Sequence, residues 1–167
     1  MYVSAVALLD WQGKVLISYR SEDHSVLPNF WEFPGGKIKI NESPDDAVIR
    51  EIKEELSLDI DKKLLKPLSF NTHTYKNIYG GDLDVVIFFY ICRSWKGTPS
   101  YKDKQKILWI EIDKLKKYKF LSMIKYKKWI GKIFRDKNML MSRQEKIRLD
   151  KNERITHFEK KFFKKQN

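Results

Sequence analysis

Residues 36–58 read GKIKINESPDDAVIREIKEELSL, and this stretch carries both a helix start and an unusual charge cluster. Ser43 is a good N-cap, Pro44 sits where a missing N–H costs nothing, and Asp45 and Asp46 put negative charge in the first turn. The spacing predicts a helix from Pro44. Val48, Ile52 and Leu56 recur every four residues, flanked by Ala47 and Ile49, and form an apolar stripe. Glu51, Glu54 and Glu55 recur at i, i+3 and i+4 and project from a neighbouring face. Three like charges on one side repel unless something positive lies among them, and Arg50 alone cannot neutralise three. Hard divalent cations favour carboxylate oxygens, and Mg²⁺ is held by a few carboxylates together with waters and substrate phosphates. On spacing alone, a solvated acidic helix face and a phosphate-handling metal site are both open readings.

The pattern of fixed positions decides between them. Gly36, Glu42, Arg50-Glu51-Ile52-Lys53-Glu54-Glu55 and Leu58 resemble the Nudix box, G-x5-E-x7-R-E-U-x-E-E-x-G-U. Ser57 stands where that pattern has glycine, just past the helix end, where a left-handed backbone is easiest without a side chain. The substitution is expected to cost some stability and leave the carboxylates intact. The preceding Trp31-Glu32-Phe33-Pro34-Gly35-Gly36-Lys37 resembles the entry to the box in the MutT-like branch. Trp95-Lys96-Gly97-Thr98-Pro99, followed by Asp103, Gln105 and Trp109, resembles that branch's later segment. The resemblance covers about residues 1–130.

A single domain fits the chain length. The 167 residues are 42% hydrophobic and 14% aromatic, enough for a core, and no apolar run approaches the ~20 residues needed to span a bilayer. Tyr2–Leu9 lacks a basic flank and runs into Asp10-Trp11-Gln12-Gly13, so it reads as a strand and turn, and the expected location is cytoplasmic. Cys92, the single cysteine, lies in a β-rich run and reads as a core thiol. Strands are expected near 2–9, 14–19, 65–75, 83–93 and 107–112, with turns at Gln12-Gly13 and Gly80-Gly81 and a second helix from about Asp113. This is an α+β fold. The Nudix resemblance sharpens it to an α/β/α sandwich with a mixed β-sheet, with a domain over 1–134 and a basic helical or disordered extension over 135–167.

Charge is uneven along the chain. Residues 1–112 hold 15 Lys and Arg against 16 Asp and Glu, whereas residues 113–167 hold 19 against 6, so the excess behind the net +12 is C-terminal. Basic residues interleave with aromatics at Lys125–Trp129 and Phe158–Lys165, a composition suited to nucleic acid or an anionic membrane. The plainer reading, a closing helix that docks Trp129, Ile130, Ile133 and Phe134 and then a solvated lysine-rich tail, is favoured. Lys146–Arg154 also resembles the opening segment of some pyridoxal-phosphate aminotransferases, but too little chain follows to hold that cofactor, and no activity is carried over.

The Nudix resemblance implies an enzyme that binds Mg²⁺ or Mn²⁺ and directs water at a phosphorus of a nucleoside diphosphate derivative. On matching positions, Glu51, Glu54 and Glu55 are expected metal ligands, with the carbonyl of Gly35 or Gly36 completing the site. Glu42 supports the site through water or by orienting the loop, and Arg50 pairs with a glutamate, Glu51 foremost, to hold its rotamer. Glu51 or Glu55 is the candidate general base, with Asp103 a further acidic candidate for proton transfer and metal binding. Arg20, Phe33, Asp82, Val85 and Ser122 are the expected substrate contacts. The MutT-like branch implies hydrolysis of 8-oxo-dGTP to the monophosphate and pyrophosphate. It reads the base with a late asparagine, and here Tyr118–Met123 contains none, leaving Ser122 as the polar candidate. Alternatives are a hydrolase of another nucleotide derivative or a capped RNA, and a non-catalytic binding module. Retention of the clustered carboxylates argues against the module. His24, His73 and His157 form no metal-ligand spacing, although His24 lies in the loop before Trp31 and is a candidate substrate contact.

Overall fold

The computed structural model describes residues 1–78, 80–100 and 106–121. The Ser122 and Asp103 candidates, the closing helix and the 135–167 extension lie outside these residues. Seven strands and one α-helix are arranged along the described chain: β1 (Tyr2–Leu8), β2 (Lys14–Tyr19), β3 (Trp31–Glu32), β4 (Gly35–Lys37), α1 (Pro44–Leu56), β5 (Lys66–Ile78), β6 (Gly81–Cys92) and β7 (Ile107–Glu111). Short 3₁₀ turns occupy Lys62–Leu64 and Ile112–Lys117.

The strands form two sheets, a mixed one in the order β4-β1-β6-β5 and an antiparallel one in the order β3-β2-β7. In the mixed sheet β1 runs parallel to β6, with Tyr2 opposite Val86 and Leu8 opposite Cys92, while β4 and β5 pair antiparallel at its two edges. The β5–β6 hairpin closes at Gly80, whose φ of 80° suits a residue without a side chain.

Strand alternation gives the mixed sheet two different faces. Val6, Leu8, Tyr90 and Cys92 point to α1 and pack with Val48, Ile52 and Leu56, the stripe expected from the sequence. Each of those three α1 side chains is fully buried, a contribution of about 1.5–3 kcal/mol apiece. Cys92 is part of this core; burial pushes its thiol pKa up, and its Sγ donates to the Ser94 carbonyl at 3.0 Å. The opposite face holds Phe89, against which the ring of Phe33 packs at 5.1 Å, with Phe120 on the other side of Phe33 at 5.4 Å.

Local signals set α1 as expected. Ser43 is the N-cap, at φ −76° and ψ 156°, and its Oγ accepts from the Asp46 N–H at 3.3 Å. Lys62 bridges Asp45 and Asp46 at 3.0 and 2.8 Å beside the positive end of the helix. Buried Ser4 on β1 donates from Oγ to the Pro44 carbonyl at 2.5 Å, fixing the start of the helix to the sheet.

The chain beyond Asp113 differs from expectation, because the helix predicted there is a six-residue 3₁₀ turn. Only Leu115 in it is buried, no side chain caps its start, and the backbone must straighten at once to pair with β3. The Trp31 N–H donates to the Lys119 carbonyl at 2.8 Å and the Leu121 N–H to the Trp31 carbonyl at 3.1 Å.

Ser57 caps α1 in the left-handed region, at φ 58° and ψ 27°. A Cβ there costs about 1 kcal/mol. Ser57→Gly is therefore expected to raise unfolding stability by about 1 kcal/mol in urea titration; unchanged or lower stability would show that the serine carries a compensating interaction.

Candidate functional site

Arg50 is the centre of the site. Its Nε and Nη2 grip both oxygens of Glu42 at 2.7 and 3.0 Å, and its Nη1 donates to Glu51 at 2.7 Å and Glu54 at 3.1 Å. Nη2 also donates to the Lys37 carbonyl at 3.0 Å. One planar fork thus joins the loop before α1, two carboxylates of α1 and the end of β4, a geometry that a lysine ammonium cannot reproduce. The expected Arg50–Glu51 pair is present, and the grip on Glu42 is the larger part of the arrangement.

The Arg50 bonds hold the Glu42 carboxyl well below the usual range, at about 2, with help from the Lys39 N–H at 2.9 Å. The same carboxylates raise the guanidinium pKa. A folded-state pKa lowered from 4.5 to about 2 favours the fold fully above 4.5, and that contribution is lost as pH falls through about 2. Glu42 is thus a brace, locked to Arg50 throughout the neutral range.

The backbone of β4 is shaped for this corner. Gly35, at φ 147°, lies so close to β1 that a Cβ would stand 2.2 Å from the Ser4 carbonyl oxygen. At Gly36 a Cβ would stand 2.4 Å from the Glu51 carboxyl carbon. Only two successive glycines let β4 lie against β1 while the Glu51 carboxylate rests on the strand. Glu55, half-buried, follows one residue after Glu54 on α1.

By their chemistry, the carboxylates of Glu51, Glu54 and Glu55 and a backbone carbonyl of Gly35 or Gly36 are oxygen donors of the kind that a hard divalent cation takes, and of these Glu51 lies against the Gly36 backbone. Among the described residues, no group of three or more acidic, histidine or cysteine side chains forms a ready-made metal cage. Mg²⁺ does not require one, because it binds one or two carboxylates and completes its shell with water and phosphate oxygens.

The expected substrate contacts fall in different places. Phe33 is 2% exposed and Val85 3%, so both are walls of the core rather than open stacking surfaces. Asp82 is exposed near the tip of the β5–β6 hairpin and pairs with Lys76 at 2.5 Å. Arg20 is committed to its own loop. Its Nη1 donates to both Glu32 oxygens at 2.9 and 2.7 Å, and its Nε and Nη2 donate to the Val26 carbonyl at 3.1 and 2.8 Å. Its Nη2 also lies 2.9 Å from His24 Nδ1, which accepts from the Val26 N–H at 3.2 Å.

Burial, reinforced by the Arg20 charge, lowers the His24 pKa, consistent with a neutral ring that accepts at Nδ1. Burial raises the Glu32 carboxyl, and Arg20 opposes that rise. This brace over residues 20–32 was not foreseen. Its sequence trace is an arginine, a histidine four residues on and a glutamate twelve residues on, a spacing that no regular element would bring together.

Comparison with known proteins places this corner in context. The family model described as NUDIX domain matches residues 1–130. The 8-oxo-dGTP diphosphatase of Proteus vulgaris is 31% identical over 102 residues, covering 61% of this chain and 84% of that protein. The m7GpppN-mRNA hydrolase of Saccharomyces cerevisiae is 29% identical over 137 residues, 81% of this chain but 13% of that much longer protein. Among solved structures, a MutT NUDIX hydrolase from Burkholderia pseudomallei superposes with a TM-score of 0.63 at 22% identity, covering 75% of this chain and 93% of that one, a likeness of fold.

The seat of Glu51 on Gly36 gives a direct test. Gly36→Ala pushes the carboxylate off β4 while leaving the core packing intact, so Mn²⁺ affinity by titration calorimetry is expected to fall roughly 10- to 100-fold at an unchanged melting temperature. Unchanged Mn²⁺ affinity would place the cation elsewhere.

Proposed function

Since the chain belongs to the NUDIX domain family and is a Nudix hydrolase, we propose that it is a Mg²⁺-dependent nucleotide pyrophosphohydrolase that converts 8-oxo-dGTP to 8-oxo-dGMP and pyrophosphate. Mn²⁺ is the natural substitute for Mg²⁺ in such an oxygen-rich site. The observation that carries the reading is the Glu51 carboxylate, seated on the Gly36 backbone and fixed by Arg50. Similarity to the Proteus diphosphatase along most of that protein's length supports the oxidised guanine nucleotide as substrate.

When bound, the divalent cation would acidify water and neutralise diphosphate charge. The protein's own part is placement. Arg50 fixes the rotamers of Glu51 and Glu54 and ties them to Glu42 and the Lys37 carbonyl, so the carboxylates meet the cation already oriented. Glu51, Glu54 and Glu55 would hold it together with the carbonyl of Gly35 or Gly36. Glu51 or Glu55 takes the proton from the attacking water. Water adds to phosphorus, the bond to the bridging oxygen breaks, and pyrophosphate departs with the charge.

A second reading, cleavage of capped RNA, rests on the longer stretch shared with the yeast mRNA hydrolase and on the excess of basic residues beyond residue 112. Nucleic-acid contact of that kind would weaken steeply with salt. In that case the partner is RNA rather than a free nucleotide.

One panel separates the readings: 8-oxo-dGTP, dGTP, ADP-ribose, a dinucleoside polyphosphate and a capped RNA, each with Mg²⁺, with products identified by chromatography. Selective release of pyrophosphate from 8-oxo-dGTP, with most activity lost in Glu51→Gln and Glu54→Gln and on chelation of the metal, is the expected result. Turnover of the capped RNA alone would replace the proposed substrate, and full activity in both variants would remove these carboxylates from the mechanism.

A further inference from the structure

Neither the Arg50 frame nor the cation chemistry accounts for the segment Trp95-Lys96-Gly97-Thr98-Pro99 that follows β6. The structure lays it as a strap across the C-terminal end of α1. The last four carbonyls of a helix have no N–H partner within it, and here the Leu56 carbonyl accepts from the Ser100 N–H at 3.1 Å. Just past the Ser57 cap, Asp59 and Lys96 exchange backbone bonds at 3.0 and 2.9 Å. The Asp59 carboxylate also pairs with Lys53 of the last helical turn at 2.6 Å.

The strap has its own anchor. The rings of Trp95 and of Trp109 on β7 stack at 5.8 Å and 18°, and both pack on the core that holds Val48, Ile52, Leu56 and Leu58. Between this anchor and the Ser100 bond lies Gly97, at φ 100°. A Cβ on Gly97 would stand 3.1 Å from the Ser57 carbonyl oxygen and 3.5 Å from Leu58 Cδ2. The first distance is shorter than the roughly 3.3–3.6 Å of ordinary carbon-to-carbonyl contacts, so one side would have to yield. The strap is held by the indole stack, the Asp59–Lys96 pair and the Ser100 bond, whereas Ser57 already occupies the left-handed region. The displacement would therefore fall on the end of α1.

Glu54 and Glu55 stand in that last turn. Arg50 reaches Glu54 at 3.1 Å, the longest of its carboxylate bonds, and the Glu54 side chain is 55% exposed. The frame thus grips Glu42 and Glu51 most firmly and leaves the outer turn to be set from the other end of the helix. We propose that Gly97 is a positioning residue for the cation site: by letting the strap close on the Ser57 carbonyl, it sets where Glu54 and Glu55 meet the cation. It acts through the helix end and touches neither cation nor substrate. The inference rests on the reading of Glu51, Glu54 and Glu55 as the carboxylates that hold the cation.

The test measures the Mn²⁺ dissociation constant by titration calorimetry in the full chain and its variants, with the melting temperature of each. Gly97→Ala is expected to weaken Mn²⁺ binding roughly 10-fold. Gly80→Ala is the control, because Gly80 also has a positive φ, 80°, but nothing lies within 4 Å of a Cβ there. It carries the backbone cost without the push on α1, and its Mn²⁺ affinity is expected to match the unmutated protein. In Ser57→Gly the cap can turn its carbonyl aside without dragging the helix, so Gly97→Ala added to that variant is expected to weaken Mn²⁺ much less than it does alone. Trp109→Leu keeps an apolar side chain on the core, removes the stack and adds no atom near α1; it too is expected to weaken Mn²⁺.

No Mn²⁺ binding by the unmutated protein, or an affinity that survives Glu51→Gln, Glu54→Gln and Glu55→Gln alike, overturns the cation reading and this inference with it. Where those losses are present, unchanged affinity in folded Gly97→Ala, an equal fall in Gly80→Ala, or an undiminished effect of Gly97→Ala beside Ser57→Gly overturns the role of Gly97 alone. Should Gly97→Ala fail to fold, Trp109→Leu decides, and unchanged Mn²⁺ affinity there overturns that role.

Discussion

Everything at the corner between β4 and α1 depends on one guanidinium placed among carboxylates. Without it, Glu51 and Glu54 would repel across one turn of α1, and Glu42 would have no reason to approach them. Arg50 converts that repulsion into a frame by distributing its donors between two glutamates of the helix, one glutamate of the preceding loop and the backbone of β4. The bidentate grip on Glu42 is strong enough to hold that carboxyl near 2, so the frame stays charged and closed across the neutral range. Lysine would supply the charge without the planar fork.

The frame holds position because its parts are anchored in the sheet. Gly35 and Gly36 allow β4 to lie against β1 closely enough for Glu51 to rest on the strand, and Ser4, opposite Gly36, ties the first turn of α1 to β1. The α1 stripe then buries Val48, Ile52 and Leu56 on one face of the mixed sheet. The other face has an apolar centre in which Phe33 packs between Phe89 and Phe120, with the polar edge of β5 beside it.

Much of this was legible from the residues, and the boundary is a physical one. Ser43, Pro44 and the acidic first turn act locally, so the start of α1 could be read directly, and the four-residue stripe identified the buried face. The left-handed Ser57 was likewise written in the position of a residue that follows a helix end. Long-range facts were not legible. Nothing local says that β1 pairs parallel with β6 some 80 residues on, that Phe33 is enclosed by Phe89 and Phe120, or that Arg20 spends its donors on Glu32, Val26 and His24. The 3₁₀ turn at Ile112–Lys117 replaced an expected helix because pairing of Lys119 and Leu121 with Trp31 outweighs the helical preference of a lysine-rich segment. Lys37 enters the site through its carbonyl, a contribution that side-chain identity does not encode.

The central claim is that carboxylates ordered by Arg50 hold a divalent cation at the Gly36 edge of the sheet. The most direct measurement is an anomalous-scattering map from crystals soaked with Mn²⁺ and a non-hydrolysable 8-oxo-dGTP analogue. The account predicts a peak within coordination distance of Glu51, Glu54 or Glu55 and the carbonyl of Gly35 or Gly36, with Arg50 still bound to Glu42. A Mn²⁺ peak away from these groups, with the analogue bound, would contradict it.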